Sequence, residues 1–182
     1  MTTNETMQLA VPVSDLDHQA GPADAPVTLV EYGDFQCEDT AAALPILKEL
    51  RERMGSELRF VYRSFPLTHE HEFAQGAAEA AEAVADQGQA AFWPFHDHLF
   101  AHQDALTEDD LIRYVLRLGL ESMPVRRALN AGTYRDRVNE VKRGGERSGV
   151  SGTPTLFING QLYTGELTLD ALETAVRTAA RA

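Results

Sequence analysis

Val27 to Thr40 reads VTLVEYGDFQCEDT, and this stretch decides how the rest of the chain is interpreted. It opens with an apolar run rich in β-branched residues, which is typical of a buried strand. Gly33 and Asp34 break the run, and the glycine-free segment from Glu38 to Arg53 is predicted to be a helix. Cys37 therefore falls where a strand passes into a helix N-terminus, beside unpaired backbone N–H groups and the positive end of the helix dipole. Such a position favours a reactive thiolate.

The composition predicts one soluble domain with an inserted subdomain. The chain has 182 residues, of which 43% are hydrophobic and 24% charged, as in ordinary globular proteins. The formal charge of −12 argues against nucleic acids and anionic membranes as partners. Residues 1–20 lack the basic and apolar regions of a secretory signal, and no run is long enough to span a bilayer. We therefore expect a cytoplasmic protein that is not inserted in a membrane.

The number of cysteines excludes an internal disulfide. Cys37 is the only cysteine in the chain, so any disulfide must join it to another molecule.

The pattern along the chain predicts a βαβ unit first. Residues 1–20 are interpreted as an irregular arm, with Leu9 to Val13 as a candidate edge strand, and the main domain as residues 21–182. After the predicted helix, which contains Pro45 and should kink there, Leu58 to Tyr62 (LRFVY) is a second strand. A strand, helix and strand of this length should place the two strands parallel.

A helical block and a ββα unit complete the prediction. The block runs from about residue 70 to 146, with N-caps predicted at Thr107 (in a capping box), Ser122 and Thr133. Strand signals return at Thr155 to Ile158, and Asn159-Gly160 predicts a type I′ hairpin turn to a strand over Gln161 to Tyr163. A last helix is predicted to be capped by Thr168. The expected fold is α/β, with a mixed four-stranded sheet and helices on its faces.

This order of elements resembles the thioredoxin fold, and the inserted helical block makes it similar to the DsbA family. The resemblance is carried by VEYGDFQC, RSFPLTHEHEFA, AAEAAEAV, FWPFHDHLF and GVSGTPTLFING, which follow one another from about residue 21 to the C-terminus. In particular, the chain resembles the DsbA-like domains that occur free-standing in bacteria or appended to sodium/proton antiporters.

The resemblance implies roles for individual positions. Cys37 matches the nucleophilic cysteine of the family's Cys-x-x-Cys, and Glu31 matches a buried acid associated with proton movement. The loop Gly152 to Pro154, with Thr153 at its centre, matches the family's cis-proline loop, which packs beside that cysteine and pairs with an extended substrate. The chain departs from the family at Thr40, which stands where the second cysteine would be.

The residues after Cys37 bear on its reactivity in opposite directions. The helix N-terminus favours the thiolate, whereas the carboxylates of Glu38 and Asp39 oppose it and compete for the same N–H groups. The Thr40 hydroxyl has two open interpretations: it donates a hydrogen bond to the Cys37 thiolate, or it satisfies a backbone carbonyl in the first helical turn.

We predict a monothiol redox protein. Without a second cysteine, a mixed disulfide at Cys37 can be released only by an outside thiol. Glutathione or another small thiol is therefore expected as a co-substrate, protein or small-molecule thiols and disulfides as partners, and no cofactor. Two alternatives stay open. One is a redox-inactive peptide-binding or chaperone-like module that retains the groove, and the other is a homodimer linked through Cys37.

Three further groups of residues are assigned structural roles. The histidine pairs His69/His71 and His98/His102 are interpreted as polar surface residues, so no metal site is predicted. The aromatic residues of FWPFHDHLF are expected in the core. A solvated helix face is expected at Glu79, Glu82 and Asp86.

Overall fold

The computed structural model describes residues 7–182 of the chain. The strands are β1 (His18–Ala20), β2 (Val27–Gly33), β3 (Leu58–Ser64), β4 (Thr155–Ile158) and β5 (Gln161–Leu162). The α-helices are α1 (Glu38–Met54), α2 (Ala74–Ala85), α3 (Gln89–Phe100), α4 (Glu108–Arg117), α5 (Ser122–Ala131), α6 (Arg135–Arg147) and α7 (Leu169–Ala179). The described residues form two compact units. The first comprises residues up to 32, 42–63 and 143–182, and the second comprises 33–41 and 64–142.

The first unit contains most of a sheet with the strand order β1-β3-β2-β4-β5. Strand β4 runs antiparallel to both β2 and β5, and α7 packs against β4. The apolar residues of β2 that announce the strand in the sequence, Val27, Leu29 and Val30, are buried. A continuous apolar run of this kind is expected in a strand that is covered on both faces, because residues on both faces are then buried.

Within residues 7–182 the sheet has five strands rather than the predicted four. The additional strand β1 lies in the N-terminal arm and pairs antiparallel with β3. The prediction of a strand over Leu9 to Val13 is wrong: no strand forms over residues 9–13, and the isolated antiparallel bridge in this part of the arm joins Gln8, just before that range, to Gln161. Strand β1 forms through backbone pairing with β3. Its three residues show no alternation of apolar and polar side chains, so the sequence pattern does not indicate a strand there.

Local turn and cap chemistry agrees with the sequence where the residues act on their own neighbourhood. Asn159 and Gly160 have φ values of 47° and 80°, as the type I′ turn requires. Thr107 and Asp110 form the predicted capping box at the start of α4, and the Thr168 side chain accepts from the backbone N–H of Ala171 at the start of α7.

Two other predicted caps are wrong. Ser122 is the first residue of α5 and follows Glu121, whose side chain makes no cap hydrogen bond. Helix α6 begins at Arg135, two residues after Thr133. Both residues resemble caps by type alone, and the residues that precede the two helices directly are Glu121 and Tyr134.

The second unit is helical and is built around α2. This helix packs against α3, α4 and α5, and its alanines, which include Ala77, Ala80 and Ala81, are buried. The aromatic helix α3 also contributes to the core, as predicted, through Phe92 and Phe95. None of the helices within residues 7–182 combines the length and the apolar character needed to cross a membrane.

The solvated face predicted for α2 is wrong at two of its three residues. Glu79 and Glu82 are buried, and each faces an arginine of α6: Arg135 lies 3.5 Å from Glu79, and Arg137 pairs with Glu82. Helical periodicity places these acids together but contains no information on α6, which begins about fifty residues later.

Candidate functional site

Cys37 lies immediately before α1, as the sequence predicts. Its backbone N–H donates to the carbonyl oxygen of Asp34 at 3.1 Å, which closes a tight turn, and its own carbonyl accepts from Ala41 at 3.1 Å as the first bond of the helix. Cys37 therefore occupies the N-cap position, where backbone N–H groups and the helix dipole favour an anion. The residue is a thiol outside any disulfide, and it is only 7% exposed.

The carboxylate of Asp34 organises the segment that leads to Cys37. Its Oδ1 accepts from the backbone N–H of Gln36 at 2.7 Å. Its Oδ2 accepts from the backbone N–H of Leu67 at 2.8 Å and lies 2.8 Å from Nδ1 of His71. A fully buried carboxylate is stable only with such partners, so these contacts tie the Cys37 turn to residues about thirty positions further along the chain.

Two glutamine side chains hold the same segment. Gln36 Oε1 accepts from the backbone N–H of Phe73 at 2.8 Å. Gln103 Nε2 donates to the carbonyl oxygens of both Phe35 and Cys37, at 2.9 Å each. The backbone around the thiol is thus fixed by contacts within the second unit, which pre-organise the cysteine.

The Thr40 side chain is buried beside the start of α1. Its Oγ1 accepts from the backbone N–H of Asp34 at 3.4 Å, so the hydroxyl supports the turn rather than a helical carbonyl. Glu38 and Asp39 are both exposed in the first turn of α1.

Glu31 is a buried acid on β2. It is 2% exposed, and burial raises its pKa from 4.5 to about 8, although the nearby positive charge of Arg51 opposes this rise. A carboxyl with this pKa is mostly protonated at neutral pH, so it is poised to give up a proton near pH 8 rather than to act as a base at pH 7.

The loop Gly152 to Pro154 precedes β4. The Thr153–Pro154 peptide bond is cis, and the carbonyl oxygen of Gly152 accepts from the Thr155 hydroxyl at 2.7 Å. An additional Cβ at Gly152 would meet no atom within 4 Å.

The predicted site residues divide between the two units. The first unit contains Glu31 and the loop from Gly152 to Pro154, and the second contains Cys37, Glu38, Asp39 and Thr40.

The histidines have roles that sequence spacing does not predict. His71, expected to be a polar surface residue, is bound to the buried carboxylate of Asp34. The rings of His98 and His102 stack with their centroids 4.2 Å apart. Within the described part of the chain, no three histidine, cysteine, aspartate or glutamate side chains converge as metal ligands would.

Sequence reasoning misses the residues that hold the Cys37 turn. It identifies Asp34 only as a residue that breaks a strand, and it does not single out Gln36 or Gln103. Their partners lie 33 to 68 positions away, so no local spacing identifies them. The only available signal is that Asp34 is a carboxylate placed between a buried strand and the cysteine.

The sequence is similar to a known protein family and to a group of named relatives. A family model described as Thioredoxin matches residues 14–178. The chain is 46% identical over 174 residues to the Na(+)/H(+) antiporter NhaA 1 of Salinispora arenicola. That match covers 95% of this chain and 26% of the antiporter, so the chain spans about a quarter of the length of the curated relatives it matches.

Solved structures share the fold. Oxidised BdbD from Bacillus subtilis superposes with a TM-score of 0.86 at 20% identity and covers 98% of this chain and 100% of its own. The thiol-disulfide exchange protein alpha-DsbA2 from Wolbachia pipientis superposes with a TM-score of 0.77 at 22% identity, over 88% of this chain and 85% of its own. The predicted thioredoxin fold with a DsbA-like helical insertion is confirmed.

Proposed function

The chain belongs to the thioredoxin family, and from this premise we propose that it is a thiol–disulfide exchange protein that acts through Cys37 alone. The family and the fold support an oxidoreductase-like role in general. The monothiol mechanism rests on one observation: Cys37 is the only cysteine, and it lies at a helix N-terminus whose backbone is held by Asp34 and Gln103.

The proposed reaction has two exchanges. The Cys37 thiolate attacks a glutathionylated protein at the glutathione sulfur; a Cys37–glutathione disulfide forms and the protein thiolate leaves. A second glutathione thiolate then attacks the glutathione sulfur of this adduct, which releases oxidised glutathione and restores the Cys37 thiolate. Each step exchanges one disulfide for another, so no further oxidant or reductant is needed.

The other site residues predicted from the sequence are also assigned roles in this proposal. The Thr40 hydroxyl accepts one hydrogen bond and retains its proton, which it donates to the sulfur anion one helical turn away. In the first unit, Glu31 can release a proton near pH 8, and the loop Gly152 to Pro154 of the same unit is assigned the binding of an extended partner chain. Because the second exchange needs a reducing thiol pool, the proposed location is the cytoplasm.

Mass analysis of Cys37 after incubation with oxidised glutathione tests the proposal. We expect one glutathione adduct on the wild-type protein and none on Cys37→Ser. An excess of reduced glutathione should remove the adduct. A wild-type protein that stays unmodified under conditions that modify a short thiol peptide would refute the monothiol mechanism.

A gain of function provides the second test. Thr40→Cys restores the family's second cysteine, so this variant should expel bound glutathione by itself. It should end with an internal disulfide between Cys37 and the introduced cysteine, detected as the loss of two hydrogens by mass. Thr40→Ser is the matched control, since it keeps a hydroxyl and should retain the adduct. An adduct that persists equally in both variants contradicts the proposed reactivity of the sulfur.

The low exposure of Cys37 favours a second candidate function. At 7% exposure, a sulfur that disulfides cannot reach would leave a redox-inactive module that binds peptides. If the protein is such a module, Cys37→Ser should leave partner binding unchanged, and alkylating reagents should not modify the folded protein.

A further inference from the structure

A small cavity opens in the helical unit and is not used by the thiol chemistry. Its volume is about 230 Å³, and its apolar lining consists of Phe73, Leu106, Leu111 and Leu129. Pockets for drug-sized ligands usually have volumes of ~300–1,000 Å³. This cavity therefore fits a group about the size of one amino-acid side chain.

A buried carboxylate, that of Glu79, lines the cavity. Glu79 is 4% exposed. Its Oε1 accepts from Gln75 at 2.9 Å and lies 3.5 Å from Nε of Arg135. No group within residues 7–182 donates a hydrogen bond to its Oε2, and this oxygen is not sealed from solvent. Oε2 therefore retains its capacity to accept a hydrogen bond, and Glu79 is a buried acid among the residues that line the cavity.

The rim of the cavity, like Glu79, is negatively charged. Glu72 and Glu108 also line it, and Glu108 shares Arg126 with Asp109. Arg135 is the only cation among the lining residues that the structure describes. Even with Arg126 beside Glu108, the acids around the cavity outnumber the arginines, which disfavours an anionic ligand and favours a cation with an apolar body.

Arg135 indicates which cation fits. Its Nε lies 3.5 Å from Oε1 of Glu79, and its side chain is 62% exposed. The protein thus already places a weakly held guanidinium beside this carboxylate. A second guanidinium can displace Arg135, because the Arg135 side chain is already 62% exposed and remains hydrated after it leaves the carboxylate.

We propose that this cavity binds the side chain of an arginine from a partner protein. The alkyl part contacts the apolar lining, and the guanidinium donates to Oε2 of Glu79. Planar guanidinium groups match carboxylates better than ammonium groups do. The proposal goes beyond thiol exchange and requires nothing of Cys37.

Calorimetric titration of the full chain with n-butylguanidinium tests the proposal, with n-butylurea as the uncharged isostere. We expect a dissociation constant on the order of 1 mM for the cation and binding at least about tenfold weaker for the urea. Glu79→Gln should weaken binding of the cation about tenfold. Arg135→Ala should strengthen it, because the competing guanidinium is removed. Glu52→Gln, which removes an exposed acid of α1, is the control for net charge and should change nothing.

Steric variants at Gly76 provide an independent test. Gly76 lines the cavity, and a Cβ there would meet no atom within 4 Å, so both Gly76→Ala and Gly76→Met should fold. The methionine should fill the cavity and abolish binding, whereas the alanine should retain it. Cys37→Ser should bind normally even if the thiol chemistry proves absent.

Three outcomes would overturn the proposal. Equal binding of the cation and the urea would indicate an apolar cavity only, and binding that survives Gly76→Met would lie elsewhere on the surface. Loss of binding in Arg135→Ala would assign the cation, rather than the carboxylate, to ligand binding.

Discussion

Burial of Glu31 should make the protein less stable as the pH rises toward 8. The carboxyl is 2% exposed, and its pKa rises from 4.5 to about 8 because burial disfavours the charged form. Between these two pKa values the folded protein holds a proton that the unfolded chain has lost. The free energy of unfolding therefore decreases as the pH increases, and the stability from this group is complete only below about pH 4.5.

The size of the effect follows from the two pKa values. Each pH unit between them lowers the free energy of unfolding by about 1.4 kcal/mol. From pH 5 to pH 8, with partial titration at both ends, the total loss is roughly 3.5 kcal/mol. Glu31→Gln replaces the carboxyl by a neutral group of the same shape, so the variant should lack this loss. Wild type and variant should differ by less than about 1 kcal/mol at pH 5.

Urea unfolding at pH 5, 6, 7 and 8 measures this difference, with a reductant present to keep Cys37 as a thiol. Equal slopes against urea would show that the unfolded states are comparable. Glu52→Gln on the exposed face of α1 is the matched control and should follow the wild type at every pH. Parallel curves for wild type and Glu31→Gln would refute the argument, because the buried carboxyl would then titrate normally.

Three further predictions concern the Cys37 turn and one helix cap. The double variant Glu38→Gln/Asp39→Asn should raise the rate of Cys37 alkylation at pH 7 by roughly 3- to 10-fold, because the opposing charges leave the helix N-terminus; mass spectrometry follows the modification. Asp34→Ala should lower the free energy of unfolding by about 3 kcal/mol or more, since it leaves three hydrogen-bond donors without their acceptor; urea unfolding measures this. Thr107→Ala should lower the same quantity by about 1 kcal/mol through loss of the capping box.

Matched variants distinguish these effects from general changes of charge or side-chain size. Glu52→Gln/Glu57→Gln removes two charges near the other end of α1 and should leave alkylation unchanged; an equal acceleration would contradict a local effect. Asp24→Ala removes an exposed acid and should cost less than about 0.5 kcal/mol. Thr133→Ala removes a threonine that caps nothing, and a loss as large as that of Thr107→Ala would contradict the capping argument.

The sequence was sufficient wherever a residue acts on its immediate neighbours. Asn159 and Gly160 form the predicted turn, and Thr107 forms the predicted box, because backbone conformation and cap bonds involve residues within about four positions. The start of α1 directly after Cys37 follows for the same reason. The count of cysteines likewise excludes an internal disulfide without any structure.

Only the tertiary structure decided which polar groups are buried and what they face. Glu79, predicted to be solvated, is paired with Arg135 of another helix. His71, expected to be a polar surface residue, contacts the buried carboxylate of Asp34. In both cases the partner comes from a distant part of the chain, and periodicity within one helix or loop contains no information about it.

Glu31 and Cys37 show where this division lies. Their positions, on a buried strand and at a helix N-terminus, are determined by the sequence through local propensity and spacing. Their ionisation and accessibility depend on how completely the rest of the chain excludes water from them. Desolvation sums over every element that packs around a group, so the sequence alone determined where these residues lie, and only the folded chain decided how they titrate and what can reach them.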